Sequence, residues 1–261
     1  MKFQRIEDRE ILETYFRQDL PLHAYSLGDL DETYWSRTTY YGVVMENGLS
    51  DVFLIYNGIG LPVLLALGPE NYLDGVLLKQ LEKLLPNEIY AHLSPGLENR
   101  LGNQFSLVEH GLHYKMVLAE PGRLEGIPTN NTYHLSSQDL PEMQRLYTES
   151  YPDSCFDPSL LSSGKYIGCR EAGELVSAAG VHVYSTRYRV AALGNITTHP
   201  DHRNRGFARA VTARLCQELA LEVDFIGLNV KCENHSALHL YQELGFKITS
   251  KYAEFTLKKA F

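Results

Sequence analysis

The chain has 261 residues, of which 44% are hydrophobic and 21% charged, and its formal net charge is −8 at pH 7. This composition is typical of a folded globular protein, it excludes a mainly disordered chain, and its acidity disfavours nucleic acid or an anionic membrane surface as a partner. The four cysteines lack CxxC spacing, which predicts free thiols. The sequence shows no signal peptide and no apolar run near the roughly 20 residues that a membrane-spanning helix needs. These features predict a cytoplasmic protein.

The first half of the chain is predicted to be an α/β domain. Apolar residues at helical spacing predict an opening helix over Phe3–Gln18. Between Thr38 and Leu67, short apolar runs separated by Asn-Gly pairs predict three antiparallel strands, because Asn-Gly favours tight hairpin turns. The elements predicted after these are a helix over Tyr72–Leu85, a strand over Glu88–Leu93, a short helix over Gly96–Leu101 and a strand over Tyr114–Leu118.

Turn-forming residues are concentrated in Pro121–Pro128, which predicts a domain boundary there. We therefore divide the chain into domains of residues 1–127 and 128–261. The second half again begins with a strand and a helix and continues as three strands between Lys165 and Thr198. Its last predicted elements are a strand over Asp224–Val230, a helix over Asn234–Leu244 and two strand segments in Lys247–Leu257.

The stretch Asn195–Ala220 has the pattern of a strand, a turn and a helix. Gly206 lacks a Cβ where a ligand would approach the backbone, and Ala208 keeps the next position small. Arg203 and Arg205 add positive charge where the helix begins. Because helix N-termini present N–H groups and a positive dipole end, the stretch predicts a phosphate site.

The sequence THPDHRNRGFARAV resembles the pyrophosphate-binding motif of the GNAT superfamily of acyl-CoA-dependent N-acetyltransferases. That motif is Arg or Gln, two residues, Gly, one residue, and Gly or Ala, and it is matched by Arg203, Gly206 and Ala208. A second motif of the family is an Asn that caps a helix carrying Ala and Tyr and ending in Leu-Gly-Phe. It is matched by Asn234, Ala237, Tyr241 and Leu244–Phe246, so that the resemblance covers about Thr132–Leu257.

The resemblance implies an α/β fold of the α+β type, with a mixed, largely antiparallel central sheet flanked by helices. It leaves open whether the N-terminal α/β domain is a degenerate GNAT-like unit. The turn at the corresponding position there, GPENYLDG, lacks the Arg and the Gly-x-Ala pattern and carries the acidic Glu70 and Asp74, which would repel a phosphate.

The resemblance also implies acetyl-CoA as co-substrate. A metal site is not predicted, because His110 and His113 form only a pair and no other ligands have recognisable spacing. Backbone groups of a strand and the Asn of the second motif would contact the pantetheine arm, and the turn would wrap the pyrophosphate. The strand residues are Ile196, Thr197 and Thr198, the Asn is Asn234, and the turn residues are Arg203, Asn204, Arg205, Gly206, Phe207 and Ala208.

Two proton transfers are needed to acylate an amine. Tyr241, a neutral phenol at pH 7, suits the acid that serves the departing thiolate. The base is open, because Arg189–Thr198 contains no Asp or Glu where family members often place one. A water molecule, His182 and Glu233 remain as alternatives.

The function predicted from these features is transfer of an acetyl group from acetyl-CoA to a primary amine of an unidentified small-molecule or peptide acceptor. The amine would attack directly, without a covalent enzyme intermediate. Two alternatives are transfer of a longer acyl group to an amino acid and a non-catalytic CoA-binding module. The sequence leaves a homodimer open.

Overall fold

The computed structural model describes residues 2–46, 48–58, 60–69, 73, 75–101, 104–152, 154 and 156–260. The strands are β1 (Lys2–Ile6), β2 (Thr38–Met45), β3 (Gly48–Tyr56), β4 (Val63–Ala66), β5 (Glu88–Leu93), β6 (Phe105–Leu118), β7 (Thr132–His134), β8 (Ile167–Glu171), β9 (Glu174–Ser185), β10 (Val190–Thr198), β11 (Phe225–Lys231) and β12 (Phe246–Lys259). The α-helices are α1 (Arg9–Phe16), α2 (Leu20–Gly28), α3 (Glu32–Trp35), α4 (Val76–Leu84), α5 (Leu97–Leu101), α6 (Leu140–Ser150), α7 (Phe207–Leu219) and α8 (His235–Glu243).

The chain folds into two compact units. Unit 1 contains Met1–Lys115, Val230–Asn234 and Ile248–Phe261, and unit 2 contains Met116–Asn229 and His235–Lys247. The last strand of the chain therefore belongs mainly to the first unit. The predicted boundary between residues 127 and 128 stays a prediction.

Unit 1 has a sheet in the strand order β1-β2-β3-β4-β5-β12-β6. Its pairs are antiparallel from β1 to β4 and between β5 and β12, whereas β4 and β5 are parallel. The three strands predicted between Thr38 and Leu67 are confirmed as β2, β3 and β4. Buried apolar side chains cover one face of the sheet and include Phe53, Leu64, Leu81, Ile89 and Phe255. Glu70 and Asp74 lie outside the described residues.

The prediction of one helix over Phe3–Gln18 is wrong. The residues before Asp8 form β1, in which the Phe3 ring stacks on those of Tyr41 and Phe53 at centroid distances of 6.1 and 6.0 Å. The Asp8 side chain accepts hydrogen bonds from the first turn of α1 and starts the helix there. Spacing along the sequence could not reveal that the first residues pair with a strand about 40 positions away.

Two further strands are longer than their patterns predicted. β6 begins nine residues before the predicted strand at Tyr114, and β12 is one strand rather than two segments. Polar residues alternate irregularly along both strands, which hides their length from a search for apolar runs.

Unit 2 has the strand order β7-β8-β9-β10-β11. β7 to β10 are antiparallel, and β10 and β11 are parallel. Helix α6 packs on one face through buried side chains such as Met143 and Tyr147, and α7 contributes a second buried stripe that includes Val211, Leu215 and Leu219. The predicted fold class, helices flanking mixed and mostly antiparallel sheets, is confirmed.

None of the helices in the described part of the chain has the length and apolar character that spanning a membrane requires. The described cysteines, Cys169, Cys216 and Cys232, are free thiols.

Candidate functional site

The parallel strands β10 and β11 are paired over only about half of the length of β10. Their paired register joins Val190–Leu193 to Phe225–Leu228, and β10 then continues to Thr198 beyond that register. In unit 1, by contrast, every residue of β4 pairs with β5. Unit 2 therefore has a strand edge, Gly194–Thr198, on the side that faced β11 earlier in the strand.

A β-bulge at Asn195 holds this edge in place. Asn195 is 3% exposed and has a left-handed φ of 53°, and the β9–β10 register shifts between Gly194 and Thr197. The Tyr147 hydroxyl donates to the Asn195 carbonyl at 2.9 Å, and Asn195 Nδ2 donates to the Tyr166 hydroxyl at 3.0 Å. Asn at this position therefore both tolerates the backbone conformation and ties the bulge to two buried tyrosines.

The last residues of β10 are also hydrogen-bonded from their side chains. The Ser177 hydroxyl donates to the Thr197 carbonyl at 2.9 Å and lies 2.9 Å from Thr198 Oγ1. Ile196 is half-buried, and Thr197 and Thr198 are buried. The contacts of these three residues with the pantetheine arm stay a prediction. The Thr197 carbonyl already accepts a hydrogen bond from the Ser177 side chain.

The predicted phosphate turn follows a short 3₁₀ turn and is exposed. Asn204 and Gly206 both have left-handed φ values, 60° and 84°, and α7 begins at Phe207. A Cβ at Gly206 would meet no atom within 4 Å, so glycine is required by conformation and not by crowding. In the described structure no side chain caps α7, so its first N–H groups lack a side-chain acceptor. These donors, together with the helix dipole, fit a pyrophosphate.

The two arginines of the turn have different partners. Arg203 Nε donates to the Thr198 carbonyl at 3.2 Å, which fastens the turn to the end of β10. Arg205 forms a two-pronged ion pair with Glu171 of β8, whose carboxylate also lies 2.8 Å from His202 Nδ1. The hydrogen bond from Arg205 is the main reason that the pKa of Glu171 is lowered. One of the two positive charges predicted at the turn, that of Arg205, is therefore already paired with Glu171. The sequence could not predict this ion pair, because the two residues lie 34 positions apart.

Tyr241 of α8 is 7% exposed, and its ring lies edge-on to Phe246 at 5.9 Å. Burial raises its pKa well above the ordinary value, and the nearby ionisable groups Tyr151 and Cys216 add to the shift. The phenol is therefore fully protonated at neutral pH. This phenol is better suited to donate a hydrogen bond to a developing anion than to transfer its proton.

The other candidates lie in different surroundings. Asn234 follows β11, is exposed, and donates its N–H to the Lys231 carbonyl at 3.0 Å. It and the exposed Glu233 belong to unit 1. His182 of β9 packs on β10, and a Cβ at Gly194 would overlap its ring at 1.9 Å. The observed position of the His182 ring therefore requires glycine at residue 194, directly after the part of β10 that pairs with β11. Among the described residues, no group of three or more His, Cys, Asp or Glu side chains is arranged to hold a metal ion.

The model of the acetyltransferase (GNAT) family matches residues 131–246, the segment that carries the parted strands and the uncapped helix. Residues 131–246 form a GNAT acetyltransferase domain. Proteins of this family transfer an acyl group from acyl-CoA to an amine, and the protein is accordingly an acyltransferase. The family predicted from the two motifs is confirmed. A comparison with curated proteins finds no match.

Solved structures extend the likeness beyond the GNAT domain. A GNAT-family protein from Novosphingobium aromaticivorans aligns with a TM-score of 0.65 at 19% identity, covering 93% of this chain and 100% of its own. A GCN5-related N-acetyltransferase from Sphaerobacter thermophilus aligns with a TM-score of 0.63 at 13% identity, covering 97% of this chain and 95% of its own.

A tandem GNAT protein from the clavulanic acid biosynthesis pathway aligns with a TM-score of 0.56 at 13% identity, over 100% of this chain and 99% of its own. At such identities the likeness shows the fold alone. It supports a two-domain GNAT arrangement and a GNAT-like fold for the N-terminal half.

Proposed function

We propose that the protein transfers an acetyl group from acetyl-CoA to a primary amine of a small molecule or peptide by direct attack. The observation that carries this proposal is the parting of β10 from β11 next to the uncapped N-terminus of α7. The unpaired end of β10 thus offers a strand edge for an extended chain, and the helix that follows it offers N–H donors for a diphosphate.

The turn residues Arg203–Ala208 would hold the pyrophosphate, and the strand edge Ile196–Thr198 would hold the pantetheine arm. Support comes from the exposure of the turn, from the left-handed Asn204 and Gly206, and from the first N–H groups of α7, which have no side-chain cap. Asn234 is proposed as a further contact of the pantetheine. When bound, acetyl-CoA supplies an activated thioester.

The reaction requires a neutral amine and a stabilised leaving thiolate. An alkyl amine with a pKa near 10.4 costs roughly 4 to 5 kcal/mol to deprotonate at pH 7. The amine nitrogen then attacks the thioester carbonyl carbon, the carbon–sulfur bond breaks, and CoA leaves as a thiolate. Tyr241, protonated and buried, is proposed to donate a hydrogen bond to that sulfur.

His182 is proposed as the proton acceptor, because it lies against Gly194 where the paired register ends. Replacing His182 by Gln should lower kcat/KM by roughly 10²-fold. His134→Gln, a change at an exposed position of β7, is the matched control. An unchanged kcat/KM in His182→Gln would assign the proton to water or another group.

The function is tested by thiol release from acetyl-CoA over a panel of amines that includes polyamines, amino acids, aminoglycosides and peptide N-termini. We expect amine-dependent thiol release with at least one class, and an acetylated amine of matching mass. Absence of amine-dependent release over the whole panel, with acetyl-CoA bound, would refute acetyl transfer to these acceptors. Release with longer acyl-CoA alone would reassign the donor.

A further inference from the structure

A β-bulge in β9 carries His182. Val181 and Val183 of β9 face the adjacent residues Leu193 and Ala192 of β10, so that His182 is an extra residue between them. A bulge bends its strand and turns the side chain of the extra residue out of the regular alternation of the sheet. The orientation of the His182 imidazole is therefore set by this bulge.

The bulge at Asn195 in β10 follows two pairs further along the same ladder. Asn195 and Ile196 lie opposite the single residue Ala179 of β9. Because each strand has one extra residue, the two shifts cancel, and the pairing from Thr197 onward has the register of an uninterrupted ladder. Both bulges lie close to Leu193, the last residue of β10 that pairs with β11.

The hydroxyl of Tyr166 connects the two bulges. It donates a hydrogen bond to the Val181 carbonyl at 3.2 Å and accepts one from Asn195 Nδ2 at 3.0 Å. Since the Val181 carbonyl and the His182 N–H belong to one planar peptide group, the first bond orients the peptide that leads into His182. The second bond holds the side chain of Asn195, whose φ is left-handed at 53°.

The ring of Tyr166 reaches this position because residue 180 is a glycine. A Cβ at Gly180 would overlap the Tyr166 ring, as a Cβ at Gly194 would overlap the ring of His182. The two glycines face each other between the bulges. Tyr166 is 0% exposed, so its hydroxyl makes these two hydrogen bonds in a buried environment where they are strong and costly to lose.

The bulge at Asn195 has a second support that does not involve β9. The Tyr147 hydroxyl donates to the Asn195 carbonyl at 2.9 Å and so orients the peptide that leads into Ile196. Removal of the Tyr166 hydroxyl would therefore leave this bulge one of its two hydrogen bonds, whereas the link between the bulges would be lost.

We propose that Tyr166 is a positioning residue for acyl transfer, whose hydroxyl sets the place of the His182 imidazole relative to the strand edge Gly194–Thr198. The inference rests on the proposed role of His182 as proton acceptor. Without the hydroxyl, the Val181 carbonyl and the Asn195 amide would lose a buried partner, and the bulges would shift relative to each other. A small displacement of a proton acceptor lowers the rate sharply, while the cofactor turn keeps its contacts.

The first test is NMR of the full chain labelled with 13C and 15N in histidine, with His182→Gln to assign the signal. We expect Tyr166→Phe, which keeps the ring, to shift the His182 ring signals. Asn195→Gly should shift them too, because it keeps the left-handed φ but removes the amide that bonds to Tyr166. Tyr133→Phe is the matched control and should leave them unchanged, since among the described residues the buried Tyr133 hydroxyl has no hydrogen-bond partner.

Kinetics then measure the consequence for catalysis. Tyr166→Phe is expected to lower kcat by about tenfold while the Kd for acetyl-CoA changes by roughly twofold at most. In a His182→Gln background the same change should lower kcat by less than about twofold, because Tyr166 acts through His182. A merely structural role would give the same loss in both backgrounds.

Unchanged His182 signals in either variant would overturn the proposal, and so would an equal loss of kcat in the two backgrounds. Should Tyr166→Phe fail to fold, Asn195→Gly takes its place in both measurements. Because the NMR comparison needs neither acetyl-CoA nor an amine, it decides whether Tyr166 positions His182 even if no acetyl transfer is detected. Failure of the proposed function and failure of this inference are thus distinguished.

Discussion

Replacement of Gly206 by Glu is expected to weaken acetyl-CoA binding by roughly 10²-fold or more, equivalent to about 3 kcal/mol. Two causes act together. For a residue with a Cβ, the φ of 84° at this position costs about 1 kcal/mol, and that strain is expected to distort the turn. The new carboxylate also stands where the diphosphate is proposed to lie. Calorimetric titration with acetyl-CoA measures the loss.

Gly126→Glu is the matched control for this variant. Gly126 has a left-handed φ of 72°, is exposed, and leaves a Cβ free of contacts within 4 Å, so the substitution imposes the same strain away from the turn. We expect acetyl-CoA affinity close to that of the unaltered chain. If acetyl-CoA affinity is unchanged in Gly206→Glu as well, the turn is not part of the binding site. If both variants lose affinity equally, the loss is a general effect of the backbone strain.

Replacement of Tyr241 by Phe is expected to lower kcat by about 10²-fold while changing the Kd for acetyl-CoA by roughly twofold at most. The expectation lies at the lower end of the usual range for general acids. Burial raises the pKa of Tyr241, so in the proposed mechanism the phenol would stabilise the departing sulfur by a hydrogen bond rather than by easy proton transfer. Stopped-flow thiol release and calorimetry separate the two effects.

The pH profile supplies a further check on Tyr241. Because its pKa is raised, the phenol should stay protonated through pH 9, and the kcat profile should show no alkaline decline that depends on Tyr241. Tyr188→Phe, which alters another buried tyrosine of unit 2, controls for loss of a phenol hydroxyl as such. An unchanged kcat in Tyr241→Phe would remove this residue from the chemistry.

The glycine turn before α7 could be predicted from sequence because its pattern is local. Arg203, Gly206 and Ala208 lie within six residues, and a glycine before an amphipathic helix already specifies an open turn and a helix N-terminus. Tyr241 and Asn234 were recognisable for the same reason, as members of one short motif. The apolar stripe of α7 and the hairpin of β2 and β3 likewise follow from spacing and turn residues.

The tertiary structure decided what depends on distant residues. The pairing of Arg205 with Glu171, the support of Asn195 by Tyr147 and Tyr166, and the packing of His182 on Gly194 join positions between 12 and 48 residues apart. No local spacing encodes such contacts, because they arise only when strands pair and helices pack across the sheet.

The first strand shows the same dependence on distant residues. Residues 2–6 have helical apolar spacing but form β1, since pairing with β2 offers them backbone partners that the sequence pattern does not contain. Sequence by itself predicted the turn before α7 and the family, and only the fold, by bringing distant strands together, decided which charges of that turn are already matched.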